Sequence, residues 1–194
     1  MPRAFFAIPM PLAVRDTLVA CREAFVAQDP DWAGEKWVAP ENLHITLRFL
    51  GSVPEPACDH AVERVGAILR DIEGFRLRLD VPRAIPQRRS ASLLWVGPSE
   101  GGDETATLAE RIATACRFLD FEPDGRGFRT HVTLCRARRP RRVPQTAFDE
   151  IERVLHRADE RSLTVSVRQV TLYASTITPK GPVYTELARV PLGR

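Results

Sequence analysis

The chain has no run of 18 apolar residues, so no membrane-spanning helix is expected. Its apolar start, Arg3-Ala4-Phe5-Phe6-Ala7-Ile8, is too short for the hydrophobic region of a secretory signal, and a cytoplasmic location is the expectation. No two of the four cysteines, Cys21, Cys58, Cys116 and Cys135, form a Cys-x-x-Cys pair, which argues against a zinc ribbon. They read as reduced, mostly buried thiols. The carboxylate cluster that a two-metal centre needs is also missing, so neither metal nor cofactor is expected. The formal charge is only +3, too mild to declare a nucleic-acid binder by itself. Histidine is scarce, with four in 194 residues.

What is present is an ordinary globular composition, 44% hydrophobic and 27% charged, in a length that fits one domain or two lobes sharing a core. Charge is uneven. Arg136, Arg138, Arg139, Arg141 and Arg142 crowd together, and Arg83, Arg88 and Arg89 form a smaller group. The longer run fits either an RNA-backbone contact or a solvated loop.

The scarce histidines are not scattered. Residues 42–51 alternate, with Leu43, Ile45, Leu47 and Phe49 apolar and His44, Thr46 and Arg48 between them, the period of a half-buried strand. Residues two apart on a strand share a face, about 6.5–7 Å apart, so His44 and Thr46 stand side by side. His131-Val132-Thr133-Leu134 repeats His44-Ile45-Thr46-Leu47, 87 residues later. Random placement of this chain's histidines and threonines gives about 0.3 His-x-Thr triplets, so two copies with the same flanking residues point to a paired site. The alternation assigns Phe49 to the core. His60 and His156 fall on expected helices and read as surface residues.

The remaining pattern gives alternating elements. Residues 4–8 read as a buried strand, and Val14, Leu18, Cys21 and Phe25 mark one face of a helix ended by Asp29-Pro30-Asp31. Residues 36–38 are extended. A helix over about 56–72 is closed by Gly74. A strand with Phe75, Leu77 and Leu79 inward leads to a loop between Pro82 and Pro86, then a strand over 92–96 ending at Gly97-Pro98. Gly101-Gly102-Asp103 is a flexible link to a helix over about 104–119, and 123–127 is a loop. A helix over about 145–158 precedes a strand with Leu163, Val165 and Val167 inward. The apolar phase slips at Arg168-Gln169, where a bulge or break is expected. A tight turn at 179–182 leads to a last strand over 183–190. The architecture expected is α+β: two pseudo-symmetric lobes, each an antiparallel sheet with helices on its outer face, around a cleft holding one His-x-Thr from each. Residues 1–194 form one such two-lobed domain.

The chain resembles the two-histidine (2H) phosphoesterases, and among them the bacterial RNA 2′,3′-cyclic phosphodiesterases of the 2′-5′ RNA ligase-like group. The resemblance rests on Glu41-Asn42-Leu43-His44-Ile45-Thr46-Leu47-Arg48-Phe49-Leu50-Gly51, on Phe128-Arg129-Thr130-His131-Val132-Thr133-Leu134-Cys135-Arg136, and on Leu172-Tyr173-Ala174-Ser175 with Gly181-Pro182-Val183-Tyr184-Thr185-Glu186-Leu187. It spans essentially the whole chain. Thr130 stands where the family often has proline, and Cys135 where small residues are usual.

The resemblance implies a monomer that acts on RNA or oligonucleotides with a 2′,3′-cyclic phosphate end and leaves a 2′-phosphomonoester, with 2′-5′ ligation as the reverse transesterification. It implies His44 as proton donor and His131 as proton acceptor, an order the residues alone leave open. Thr46, Thr133 and Arg136 would hold the phosphate, Arg136 only if the strand ends or bulges before it, since strict alternation turns it away from His131. A 2H enzyme for another small cyclic phosphate or a 2′-5′ linkage, and an RNA-binding module without turnover, are the competing expectations.

Overall fold

In the computed structural model, which describes residues 3–119, 127–179 and 181–193, the chain runs as follows. Strand β1 (Arg3–Pro9) leads to helix α1 (Leu12–Gln28), a short β2 (Lys36–Trp37), β3 (His44–Ser52) and α2 (Glu55–Leu69). Then come β4 (Phe75–Ile85), β5 (Ala91–Glu100), α3 (Gly102–Ala115), β6 (Val132–Arg141) and α4 (Gln145–Arg157). The chain closes with β7 (Thr164–Val167), β8 (Gln169–Thr178) and β9 (Gly181–Pro191).

Among the described residues the strands form two sheets, in the orders β3-β1-β8-β9 and β2-β6-β5-β4-β7, with every strand pair antiparallel. Setting β2 aside, the two orders map onto each other: β3 on β6, β1 on β5, β8 on β4 and β9 on β7. The helices cross over. α1 packs with α4, which rests on β4; α2 packs with α3 and β9, and α3 on β3. Each sheet is therefore covered by one helix from each half of the chain, and one continuous cluster of buried side chains runs through both.

The α1 face is the one the spacing predicts, with Val14, Leu18, Cys21 and Phe25 buried; on α2 the buried residues are Cys58, Ala61, Val65 and Leu69. The expected break at Arg168-Gln169 is where the chain changes sheets, β7 lying in one and β8 in the other.

Other boundaries differ. α2 ends at Leu69, and Gly74 lies beyond it at the start of β4, where an added Cβ would stand 3.0 Å from the Val167 carbonyl. β4 runs straight through Pro82 rather than looping. Its outer edge pairs with β7 only over residues 75–78, so the missing N–H at Pro82 removes no ladder bond on that side. Likewise β5 continues through Pro98, past its last pair with β6 at Val96. Gly101 is no flexible link: it sits at φ 79° where α3 begins, and a Cβ there would meet the Arg76 carbonyl at 2.2 Å. The loop expected at 123–127 lies outside the described residues except for Gly127, and Lys180 of the expected tight turn lies outside them too.

Candidate active site

Both histidines stand at strand starts, His44 as the first residue of β3 and His131 just before β6. Each ring is fixed by the backbone two residues back. Nδ1 of His44 lies 2.6 Å from the Asn42 carbonyl, and Nδ1 of His131 lies 2.8 Å from the Arg129 carbonyl. A carbonyl only accepts, so each Nδ1 carries hydrogen and donates. Each Nε2 is then the atom left to take or give a proton. The two motifs differ in one respect. The Thr46 hydroxyl lies 2.9 Å from His44 Nε2 and donates to it in the neutral ring.

Aromatic side chains wall both rings. Phe5 tilts against His44 at 5.0 Å and Tyr184 meets it edge-on at 5.3 Å; Trp95 covers His131 at 4.2 Å. Burial pushes both histidines below the ordinary imidazole pKa, while the hydrogen bonds to Asn42 and Arg129 pull upward. The charge of Arg136 lowers both, and His131 adds to the lowering at His44.

Arg136 reaches this site through a bulge. On β5, Leu94 pairs with Cys135 and Trp95 with Thr133, so Leu134 is an extra residue on β6. Leu134 and Cys135 are both buried, and Arg136 emerges exposed on the side of His131 and Thr133. β3 does the same. Phe6 pairs with Arg48 and Ala7 with Thr46, leaving Leu47 as the extra residue. The phase flips, and Phe49 is 51% exposed on the cleft wall. The sequence reading of Phe49 as core is therefore wrong. Phe49 and Arg136 occupy equivalent positions, each five residues after its motif histidine.

His44, Thr46, His131, Thr133 and Arg136 all line one cleft of about 1180 Å³. Phe128 and Tyr184 line it too, and sequence reasoning gave neither a role. Asn42 was also missed. Its side-chain amide donates to the Pro182 carbonyl at 2.8 Å, tying the loop that orients His44 to the β8–β9 hairpin. His60 is exposed near Glu63 and Phe118, and His156 is exposed on α4, so neither belongs to the cleft. Thr130, at the proline slot, bonds through its hydroxyl to the Gly102 carbonyl at 3.2 Å and fastens the second motif to the start of α3. Among the described residues no group of three or more His, Cys, Asp or Glu is placed to hold a metal ion. No helix among them is long and apolar enough to cross a membrane.

Two His-x-Thr strands converging on one cleft, with a guanidinium beside them, define a site of the two-histidine phosphoesterase kind. The sequence profile of the 2′-5′ RNA ligase superfamily matches residues 20–176, and the chain belongs to that family. It is 34% identical over 155 residues to an RNA 2′,3′-cyclic phosphodiesterase of Archaeoglobus fulgidus, covering 80% of this chain and 82% of the relative. A protein of the same name from Methanothermobacter thermautotrophicus is 30% identical over 185 residues, 95% of this chain and 96% of the relative. Among solved structures, E. coli LigT in its apo form superposes with a TM-score of 0.73 at 26% identity, covering 100% of this chain and 98% of that one. LigT complexed with phosphate gives 0.71 at 26% identity, with the same coverage.

Proposed function

We propose that this protein opens 2′,3′-cyclic phosphate ends of RNA to 2′-phosphomonoesters by acid–base catalysis between two histidines. The observation that carries the reading is the matched pair of imidazoles on one cleft. Each has Nδ1 engaged by a backbone carbonyl and Nε2 left for the reaction. The names of the relatives support the substrate: two RNA 2′,3′-cyclic phosphodiesterases match 80% or more of the chain.

The chemistry needs water to attack phosphorus as the 3′-oxygen leaves from the opposite side. His131, neutral, takes the water's proton at Nε2. His44, protonated, gives its Nε2 proton to the departing oxygen. One proton is taken and one is given, and exchange with solvent resets the pair. Arg136 and the hydroxyls of Thr46 and Thr133 hold the non-bridging oxygens, where charge grows in the transition state. Burial keeps both rings easy to deprotonate, which suits the base. The acid gains its proton more readily once the anionic phosphate offsets the charge of Arg136. Residues 1–194 act as one two-lobed domain, because neither sheet can be assembled from one half of the chain. A monomer suffices, since both motifs come from the same chain.

The test is a short RNA ending in a 2′,3′-cyclic phosphate, with identification of the product, for the wild type and for His44→Ala and His131→Ala. Each variant should lose at least about 100-fold in rate, the low end for a lost acid or base. The double variant should lose less than the product of the single losses, because the pair acts as a unit. Wild-type turnover in either single variant refutes the mechanism.

A further inference from the structure

The two arginine groups seen in the sequence are brought to one place. Leu93 pairs with Arg136 and Ala91 with Arg141, so residues 137–140 of β6 stand opposite Ser92 alone and swing out from the ladder. The Val143 N–H donates to the Arg88 carbonyl at 2.7 Å, which lays the turn at Arg88–Ser90 beside the end of β6. The result is a ridge that starts at Arg136 in the cleft and runs outward past Arg139 and Arg142 to Arg89.

Its members divide into two kinds. Arg138 and Arg141 are scaffold. The Arg138 backbone N–H donates to Glu35, and the Arg141 guanidinium reaches Glu35 and the Asp31 carbonyl, each at 3.0 Å, while stacking over Trp32. Glu35 is thereby held below its usual carboxyl pKa, chiefly by the Arg138 N–H, and its charge is used up. Arg89, Arg139 and Arg142 are exposed and make no hydrogen bond or ion pair among the described residues. No exposed large hydrophobic side chain falls at residues 137–142 or 88–90, and Phe49 and Phe128 line the cleft itself, so the outer ridge has nothing to insert into a membrane.

We propose that this ridge is a track for the RNA backbone leading away from the end held in the cleft. Arg89, Arg139 and Arg142 contact successive phosphates of the attached strand. The inference rests on the cyclic-phosphodiesterase reading for the direction of the chain. Three observations carry it. The exposed arginines are distributed over three backbone positions, Arg139 near the end of β6, Arg142 just beyond it and Arg89 on the adjoining turn, which suits a polymer of charges. Arg139 follows Arg136 by three residues on the same strand, which leads away from the cleft. The cleft, at about 1180 Å³, exceeds the usual volume of a small-ligand pocket, roughly 300–1,000 Å³. The preference that follows is for a longer RNA strand over a cyclic mononucleotide at the same catalytic site.

The test combines Arg89→Gln, Arg139→Gln and Arg142→Gln in one variant, at exposed positions where no side-chain hydrogen bond or ion pair among the described residues is lost. Turnover is measured on a 2′,3′-cyclic mononucleotide and on an oligoribonucleotide with a cyclic phosphate end. Binding of an oligoribonucleotide with a 2′-phosphate end is followed by fluorescence anisotropy across a salt series. Mononucleotide turnover should stay within about twofold, while oligonucleotide KM and Kd rise roughly 10- to 100-fold at low salt. The slope of log affinity against log salt should fall by about 2, near 0.7 per lost phosphate contact on a single strand. Unchanged oligonucleotide binding and salt slope overturn the proposal. So does a wild type that binds anionic vesicles but not RNA. A wild type that binds the oligonucleotide through these arginines, yet turns over neither substrate, upholds the track and refutes the catalytic reading instead.

Discussion

Replacing Arg136 separates what its charge does from what its shape does. The bulge at Leu134 brings its guanidinium into the cleft with both histidines, and its backbone pairs with Leu93 and Lys36 whatever the side chain. Arg136→Gln removes a charge-assisted hydrogen bond to the phosphate, worth about 1.5–3 kcal/mol, so kcat/KM should fall roughly 10- to 150-fold. Arg136 is exposed, so solvent screening favours the lower part of that range. The pH profile should move as well. The Arg136 charge lowers the pKa of both His44 and His131, so its loss lets both rise. On the acidic limb the base must be neutral, and it now becomes protonated already at a higher pH. On the alkaline limb the acid must be protonated, and it now holds its proton to a higher pH. The whole bell therefore slides upward, its two apparent values belonging to the pair. Arg136→Lys keeps the charge and loses the planar fork, so its rate should fall with the bell in place. The assay is kcat/KM on an RNA cyclic phosphate across pH. Wild-type kcat/KM and unmoved limbs in the Gln variant would refute the reasoning, as would a Lys variant whose limbs move like those of Gln.

The same acid–base scheme uses side chains alone, so turnover should survive EDTA; loss of activity restored by a divalent ion would show the chemistry to be different. Thr46→Val and Thr133→Val should each cost less than a histidine change, because each hydroxyl supplies one hydrogen bond among several to the phosphate oxygens, measured as kcat/KM on the same substrate. Burial pushes the thiols of Cys21 and Cys135 up to about 12 and that of Cys116 up to about 11. Iodoacetamide at mildly alkaline pH should therefore label the native protein far more slowly than the urea-unfolded chain; equal rates would contradict the packing.

Local patterns carried much of this structure, and the failures share a cause. The buried face of α1 follows from spacing alone, as does the side-by-side placement of His44 and Thr46. Arg136 could be placed conditionally, because it had to clear a bulge to be useful. The same condition applied to Phe49 and went unused, since an aromatic at an apolar phase asks for no explanation. A bulge is set by pairing with a neighbouring strand, β1 for Leu47 and β5 for Leu134, and alternation within one strand does not contain it. Pro82 misled for a related reason: whether a proline can sit in a strand depends on which edge is paired, and β7, which leaves that edge open, lies far along the chain. The Asn42–Pro182 bond joins residues 140 apart and had no local sign at all.

The pseudo-twofold arrangement bears on how two equal motifs could do the unequal work proposed for them. Equivalent strands, equivalent bulges and equivalent backbone carbonyls give both histidines the same tautomer and expose the same Nε2. Nothing in the motif itself can then make one an acid and the other a base. The difference has to come from residues that break the symmetry. Five residues after the histidine the first motif has Phe49 and the second Arg136, so at that equivalent position the cleft carries an aromatic ring on one side and a guanidinium on the other. His44 is boxed by Phe5 and Tyr184 and already bonded to Thr46, whereas His131 lies under Trp95. In the proposed mechanism a phosphate drawn toward Arg136 meets two imidazoles in different surroundings, and that inequality would orient the displacement. Exchanging the side chains at 49 and 136 would invert the asymmetry while leaving both His-x-Thr motifs intact. The swapped protein should therefore lose far more activity than the loss of one aromatic contact would explain, and comparing its kcat/KM with that of Phe49→Ala tests whether the walls or the motifs set the roles.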